Sequence, residues 1–344
     1  KPILHSVLAE MYWRYYSMNR YEWLERTETI DFTDDDIKTW DLKKLLKKVI
    51  THYISSLEET DLLKSTKLDD YDDIILKDTE TRFLRPSLYD FIAHRAVDFF
   101  INDESELTKP IYNFNINSED YFKPSNEFVK LSIINKDSLS LKYYATKILQ
   151  DLIAFHLTDD DPSALIDVEI KRLKFIKANA SIENKDSIYL NALLELEKRF
   201  NKDESSTEVA YEIAEYYLNK GNNYTPSVSE ENKWLIKNAF EKCNEAIKAF
   251  PNSYGGKKCN SLLFTITEKS IRMTVEEGNA PGKPFRSLFQ YKNVSSVTFR
   301  IIKITHDENE KLIKKYYGEE LIKQYVKKPV LKEWDVTFPS DGDY

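Results

Sequence analysis

The sequence predicts a mainly α-helical protein in which stacked helical hairpins are followed by a short β segment. Three observations carry that expectation. Apolar residues recur at helical spacing through most of residues 1–277. The stretch GNAPGKP, Gly278–Pro284, cannot continue a helix, because proline lacks the amide donor and glycine is too free. Beyond it the apolar period drops to two, as a half-buried strand requires. These features place a helical domain at 1–277, subdivided near 131–138, a linker at 278–284, and an incomplete β domain at 285–344.

Pro2–Asn19 reads as a helix with proline in its first turn, where the missing donor would be unpaired anyway. Val7, Met11, Tyr15 and Met18 recur along it. The acidic Asp34–Asp36 precedes a second helix, from Ile37 or Trp40 to Leu57, whose N-terminus favours negative charge. Leu62–Arg85 is ambiguous, and the polar run DDYDD within it reads as loop. Asp69–Asp73 lacks the glycine and the distal glutamate of a calcium loop. Arg85-Pro86-Ser87-Leu88-Tyr89 opens another helix, with Leu88, Ile92, Val97 and Phe100 on its apolar surface. Thr108–Leu131 is either a long packed connection or a small strand pair around YNFNI.

From Ser138 the helices come regularly. Leu141, Ala145, Ile148, Leu152 and Phe155 form one stripe. Asp161-Pro162 supplies an N-cap and a first-turn proline for Ile166, Ile170, Leu173 and Ile176. Tyr189, Leu193, Leu196 and Phe200 make the next stripe, and Ala210, Ile213, Ala214 and Tyr217 another, ending at Gly221. Short polar loops between such helices predict antiparallel hairpins. Ala239, Cys243, Ala246 and Pro251 match the second helix of a tetratricopeptide repeat, and Ala214 and Tyr217 suit its first. An insert at Asn219–Ser229 departs from that unit, and no second good copy occurs.

Tyr254–Val275 reads as the last long helix. Phe285, Phe289 and Tyr291 then share one side of an extended segment, and Val297, Phe299 and Ile301 one side of the next. His306–Lys328 could carry a short helix on Leu312, Ile313, Tyr316, Ile322 and Tyr325. Val330–Phe338 returns to strand, with Trp334, Val336 and Phe338 on one face, before the turn-forming PSDGDY. Three strands are too few for a sandwich stable by itself. The sheet is expected to be truncated, packed on the helices, or both.

Composition narrows the function. The chain has 344 residues, a net charge of −8 and a pI near 5.4, with no basic cluster interleaved with stacking aromatics; nucleic acid is not an expected partner. No run approaches the ~20 apolar residues of a membrane span, and no signal peptide is evident. The chain starts at Lys1 rather than methionine and stops within β patterning, and so reads as a piece of something longer. Seven glycines, the first at Gly221, exclude a phosphate loop, a dinucleotide fingerprint and a nucleophile elbow from residues 1–220. The five histidines (His5, His52, His94, His156, His306) are scattered singly, with no pair at zinc-binding helical spacing. His94 and His156 read as structural. Cys243 and Cys259 lack metal-site spacing and read as small core residues, although they could pair. No residue is nominated as catalytic, cofactor-binding or metal-ligating, and no cofactor is expected.

Four phrases in order resemble the N-terminal region of the alpha-2-macroglobulin-like proteins of Bacteroidetes. They are KPILHSVLAEMYWRYY at the start, RPSLYDFIAHRAVDFF at Arg85–Phe100, FRSLFQYKNVSSVTFRIIK at Phe285–Lys303 and EWDVTFPSDGDY at Glu333–Tyr344. The resemblance implies a helical region leading into macroglobulin-like β-sandwich domains, within a large exported and often lipid-anchored envelope protein linked to protease trapping. Tyr291-Lys292-Asn293-Val294 and Trp334–Tyr344 resemble opening strands of such a domain. Family members that trap covalently use a thioester built from Cys-x-Glu-Gln. Here Cys243-Asn244-Glu245-Ala246 lacks the glutamine, so no thioester is assigned. The resemblance thus implies a non-catalytic scaffold or docking region of an endopeptidase inhibitor, with proteases or envelope proteins as partners of the parent. The alternatives are a helical interaction scaffold of the envelope without inhibition, and a hydrolase with a site that the sequence does not reveal.

Overall fold

The computed structural model describes residues 1–24, 36–76, 80–102, 114–135, 140–225, 228–276, 278–280, 282–339, 342 and 344. Expectations for Asp34, Asp35, Thr108–Asn113, Ser138 and Pro281 fall outside them. Among the described residues there are fourteen α-helices and four short strands in two antiparallel ribbons. The chain divides into two compact units. One, the helical unit, comprises Lys1–Tyr216 with Glu241–Asn260, and the second unit comprises Tyr217–Phe240 with Ser261–Tyr344.

In the helical unit, α1 (Pro2–Met18) and the short α2 (Arg20–Leu24) lead to α3 (Leu42–Ser55). Asp41 caps α3 by accepting the Lys44 amide at 2.7 Å, which satisfies one of the free donors at that end. Tyr16, Trp23, Trp40 and Leu45 form an aromatic-rich core between these elements. Of the two expected starts, Ile37 and Trp40, the later one is nearer: Ile37–Thr39 is a separate 3₁₀ turn and α3 follows, because Asp36 and Asp41 each cap their own start.

A short α4 (Thr60–Ser65) precedes α5 (Leu88–Phe100). The start of α5 is fixed by a capping box: Ser87 Oγ accepts the Asp90 amide while Asp90 Oδ2 accepts the Ser87 amide. The DDYDD run forms a 3₁₀ turn at Leu68–Tyr71, and Arg82 holds Asp72 at 2.7 Å and Asp69 at 3.4 Å.

Of the two readings for Thr108–Leu131, the described part is a packed connection. It holds a 3₁₀ turn at Glu119–Phe122, the one-turn α6 (Ser125–Phe128) and a single parallel bridge from Ile116 to Ala180.

Next come α7 (Leu141–His156), α8 (Ser163–Asn179), α9 (Lys185–Arg199), α10 (Ser206–Gly221), α11 (Leu235–Ala249) and α12 (Tyr254–Thr267). The apolar stripes read from the sequence are buried on α7 to α11, apart from Phe155, Phe200 and Tyr217, which are half-buried. The helix α8 is buried on most of its circumference, down to Glu169 and Arg172.

The helix expected over Tyr254–Val275 begins in the helical unit and ends at Thr267 in the second, where β1 (Ser270–Val275) follows. The change is legible afterwards: Ile271, Met273 and Val275 alternate with polar residues. The stop is fixed from outside the helix. Asn293 Nδ2 donates to Ile266 O at 2.7 Å and Glu268 O at 3.1 Å, and Lys292 Nζ donates to Thr265 O. These side chains satisfy carbonyls that the last turn cannot.

The strand β1 pairs with β2 (Ser287–Lys292), from Ser270↔Lys292 to Val275↔Ser287. The strand β3 (Ser296–Ile302) pairs with β4 (Val330–Thr337), with α13 (His306–Lys315) and α14 (Gly318–Val326) between them. The ribbons meet through aromatic rings: Phe289 lies 5.4 Å from Phe299 and 5.1 Å from Phe338, and Tyr291 lies 4.1 Å from Phe338. Ile301 does not share the half-buried side of Val297 and Phe299. A register shift at Ile301/Ile302 turns Ile301 outward and leaves Ile302 half-buried.

Candidate functional site

A cleft of about 510 Å³ runs along one side of α8 in the helical unit. Asp167, Ile170, Lys171, Lys174, Phe175 and Ala178 recur at three- and four-residue spacing, so a single helix face supplies them. The opposite face carries Val168, Leu173 and Ile176 into the core and thereby fixes the rotation of α8. Glu208 and Glu212, one turn apart on α10, and Lys258 of α12 line the other side. Arg85, just before α5, and Ile101, just after it, complete the wall.

The charges in the cleft are paired. Arg85 Nε donates to Asp167 Oδ2 at 3.2 Å, Lys174 reaches Glu212 Oε2 at 3.0 Å, and Lys258 reaches Glu208 Oε2 at 2.9 Å. Lys171 meets Asp98 at 2.6 Å, and burial pushes its pKa down despite that carboxylate. Behind it, His94 is 1% exposed. Its Nδ1 lies 3.3 Å from Lys171 Nζ, and its Nε2 is 3.8 Å from Asp167 Oδ2, too far for a hydrogen bond. Burial, then the charges of Arg85 and Lys171, hold its pKa well below the usual value, so it is neutral and takes Lys171 as a donor to Nδ1. Burial pushes Glu208 up, with Lys258 opposing. Its Oε1 has no hydrogen-bond donor among the described residues.

The lining offers guanidinium, ammonium, carboxylate and amide groups. Among the described residues it has no hydroxyl or thiol. Groups of both signs of charge can pair with a charged small molecule.

Three further buried polar groups hold helices together. His156, at the end of α7, lies between Asp90 Oδ1 and Asp159 Oδ2, each 2.7 Å from a ring nitrogen. Burial alone would lower its pKa, but hydrogen bonds and charge from Asp90 and Asp159 outweigh it, and the net shift is upward. When protonated, the ring donates to a carboxylate from each nitrogen. It ties the end of α7 to the capping box of α5.

Arg172 on α8 donates to Glu169 Oε2 at 2.6 Å and to the carbonyls of Tyr121 and Lys123, and Ser125 Oγ donates to Glu169. This cluster borders a smaller cleft of about 170 Å³.

Cys243 and Cys259 are both fully buried. A hydrogen bond between their thiols pushes Cys259 up and Cys243 down.

His94 and His156 therefore sit in buried polar contacts, and Cys243 lies in the core of α11 facing Cys259. Sequence reasoning missed the cleft. Its lining comes from α8, α10, α12 and the flanks of α5, and each contribution alone looks like an ordinary charged helix face. The one available signal was Asp167, Lys171, Lys174 and Ala178 recurring opposite an apolar stripe.

Among the described residues no group of three or more His, Cys, Asp or Glu is arranged to hold a metal, and no helix is long and apolar enough to cross a membrane. Compared with protein-family models, curated proteins and solved structures, the chain finds no match.

Proposed function

We propose that this chain is the non-catalytic N-terminal scaffold of an alpha-2-macroglobulin-like envelope protein whose parent restrains endoproteases by trapping them. The observation that carries the reading is the β part. Antiparallel ribbons form at the phrases that resemble the start of a macroglobulin-like domain, and their aromatic faces meet as two layers would. The order of the four sequence phrases supports it. The tetratricopeptide-like reading of α11 is supported by the burial of Ala239, Cys243 and Ala246 on one face. Burial of Cys243 also favours packing over thioester chemistry at Cys243-Asn244-Glu245-Ala246.

The parent protein, incubated with several endoproteases, tests the proposal. The expected result is cleavage at one exposed segment, with loss of protease activity on large substrates and retention on small ones. Unchanged activity on large substrates despite cleavage rejects trapping and favours a helical envelope scaffold without inhibition.

A further inference from the structure

The cleft on α8 sorts its charge by depth. Glu208 and Glu212 are buried, with 6% and 5% of their surface exposed, whereas the side chains of Arg85 and Lys174 are 41% and 51% exposed. The floor is therefore anionic and the rim cationic. Ile101, Ile170 and Phe175 add apolar surface to the lining, and Lys174 joins rim to floor through Glu212 at 3.0 Å.

A buried acceptor without a donor costs roughly 1–3 kcal/mol, so an orphan in a native fold calls for a partner. Glu208 Oε1 is such an acceptor, more than nine-tenths buried, on a residue that lines the cleft. Its other oxygen is committed to Lys258. At the rim, Arg85 engages Asp167 through Nε, and its two terminal nitrogens have no acceptor among the described residues.

We infer that the cleft binds a small zwitterionic amino-carboxylate, with its ammonium end on Glu208 and its carboxylate end between Arg85 and Lys174. Singly charged ligands fit the lining less well. A bare amine meets Glu208 but brings no acceptor to the guanidinium of Arg85 at the rim. A bare carboxylate leaves Glu208 Oε1 as it was. A volume of about 510 Å³ lies within the range of small-molecule sites and accommodates an amino acid or a dipeptide. The inference concerns the helical unit and does not rest on the macroglobulin-like reading of the parent.

Isothermal titration of the full 344-residue chain tests it. The probes are L-lysine, L-arginine, glycylglycine and 6-aminohexanoate, with hexanoate and hexylammonium as single-charge controls. At least one zwitterion is expected to bind with Kd below about 1 mM, at least about tenfold tighter than either control. Glu208→Gln should weaken that ligand about tenfold or more by removing the charge that meets the ammonium. Lys174→Met, on the exposed rim, should weaken it as well and guards against a folding defect in the buried variant; circular dichroism checks both. The inference is overturned if no zwitterion binds at 10 mM (about ten times that Kd limit), if a control binds as tightly as the best zwitterion, or if both folded variants bind like the parent chain.

Discussion

Arg172 and His156 are each 1% exposed in the helical unit and held by partners from other segments, whereas every residue of β1 in the second unit is exposed. In the helical unit, charge has been taken into the interior and matched there. Glu169 and two backbone carbonyls surround Arg172, and Asp90 and Asp159 surround His156. In the ribbons, order comes from strand register, a few stacked rings and cross-strand pairs such as Arg300 with Glu333. Buried, matched charge makes a region unforgiving, because losing one partner strands the other. An exposed ribbon loses only what the replaced side chain contributed.

The largest expected effect is at Arg172. Arg172→Leu leaves Glu169 buried without its cation and should cost about 3–5 kcal/mol, read as a lower urea midpoint of the helical signal. A change under about 1 kcal/mol would break the contrast. His156 comes next. Its folded-state pKa is raised, so its contribution is fully present below the free value of 6.5 and is lost as pH rises through the folded value. Denaturation across that window should show declining stability, and His156→Gln should flatten the decline while costing about 1.5–3 kcal/mol at low pH.

Gly255→Ala should cost about 1–3 kcal/mol by overpacking. A Cβ there would sit 2.3 Å from the Thr207 carbonyl carbon and 2.4 Å from the Glu208 amide nitrogen, both backbone atoms. Thermal melting checks it, and an unchanged midpoint would show that α10 yields easily. The smallest effect belongs to the ribbons. Phe338→Ala removes stacking on Phe289 and Tyr291 and should cost about 1 kcal/mol, the low end for two aromatic pairs, since Tyr291 is exposed and Phe289 only half-buried. Hydrogen exchange should quicken in β1 to β4 alone. Quickening that spreads through α5 and α7 would erase the distinction between the regions.

The same difference governs what could be read from sequence. Helices α7 to α11 announce themselves because burial repeats at their own period: Leu141, Ala145, Ile148 and Leu152 need no knowledge of the rest of the chain. The start of α5 was legible for the same reason, since Ser87 and Asp90 cap it locally. The end of α12 was not. Its stop depends on Lys292, the last residue of β2, and on Asn293 beside it, which donate to carbonyls of Thr265, Ile266 and Glu268. The two carboxylates on His156 and the lining of the α8 cleft were hidden for a related reason. Asp90 and His156 are 66 positions apart, and no local period links them.

The segment between Val275 and Ser287 has a consequence of its own. Its ends are pinned by the last pair of the β1–β2 register and by the Glu276 amide donating to Arg286 O. Between them Gly278 and Gly282 have positive φ and nothing within 4 Å of where a Cβ would stand. Lengthening such a loop costs only its closure entropy, about 0.6 kcal/mol for each doubling. An epitope or a fluorescent domain inserted there would leave the strand pairing untouched, which makes this loop the natural place to attach a label.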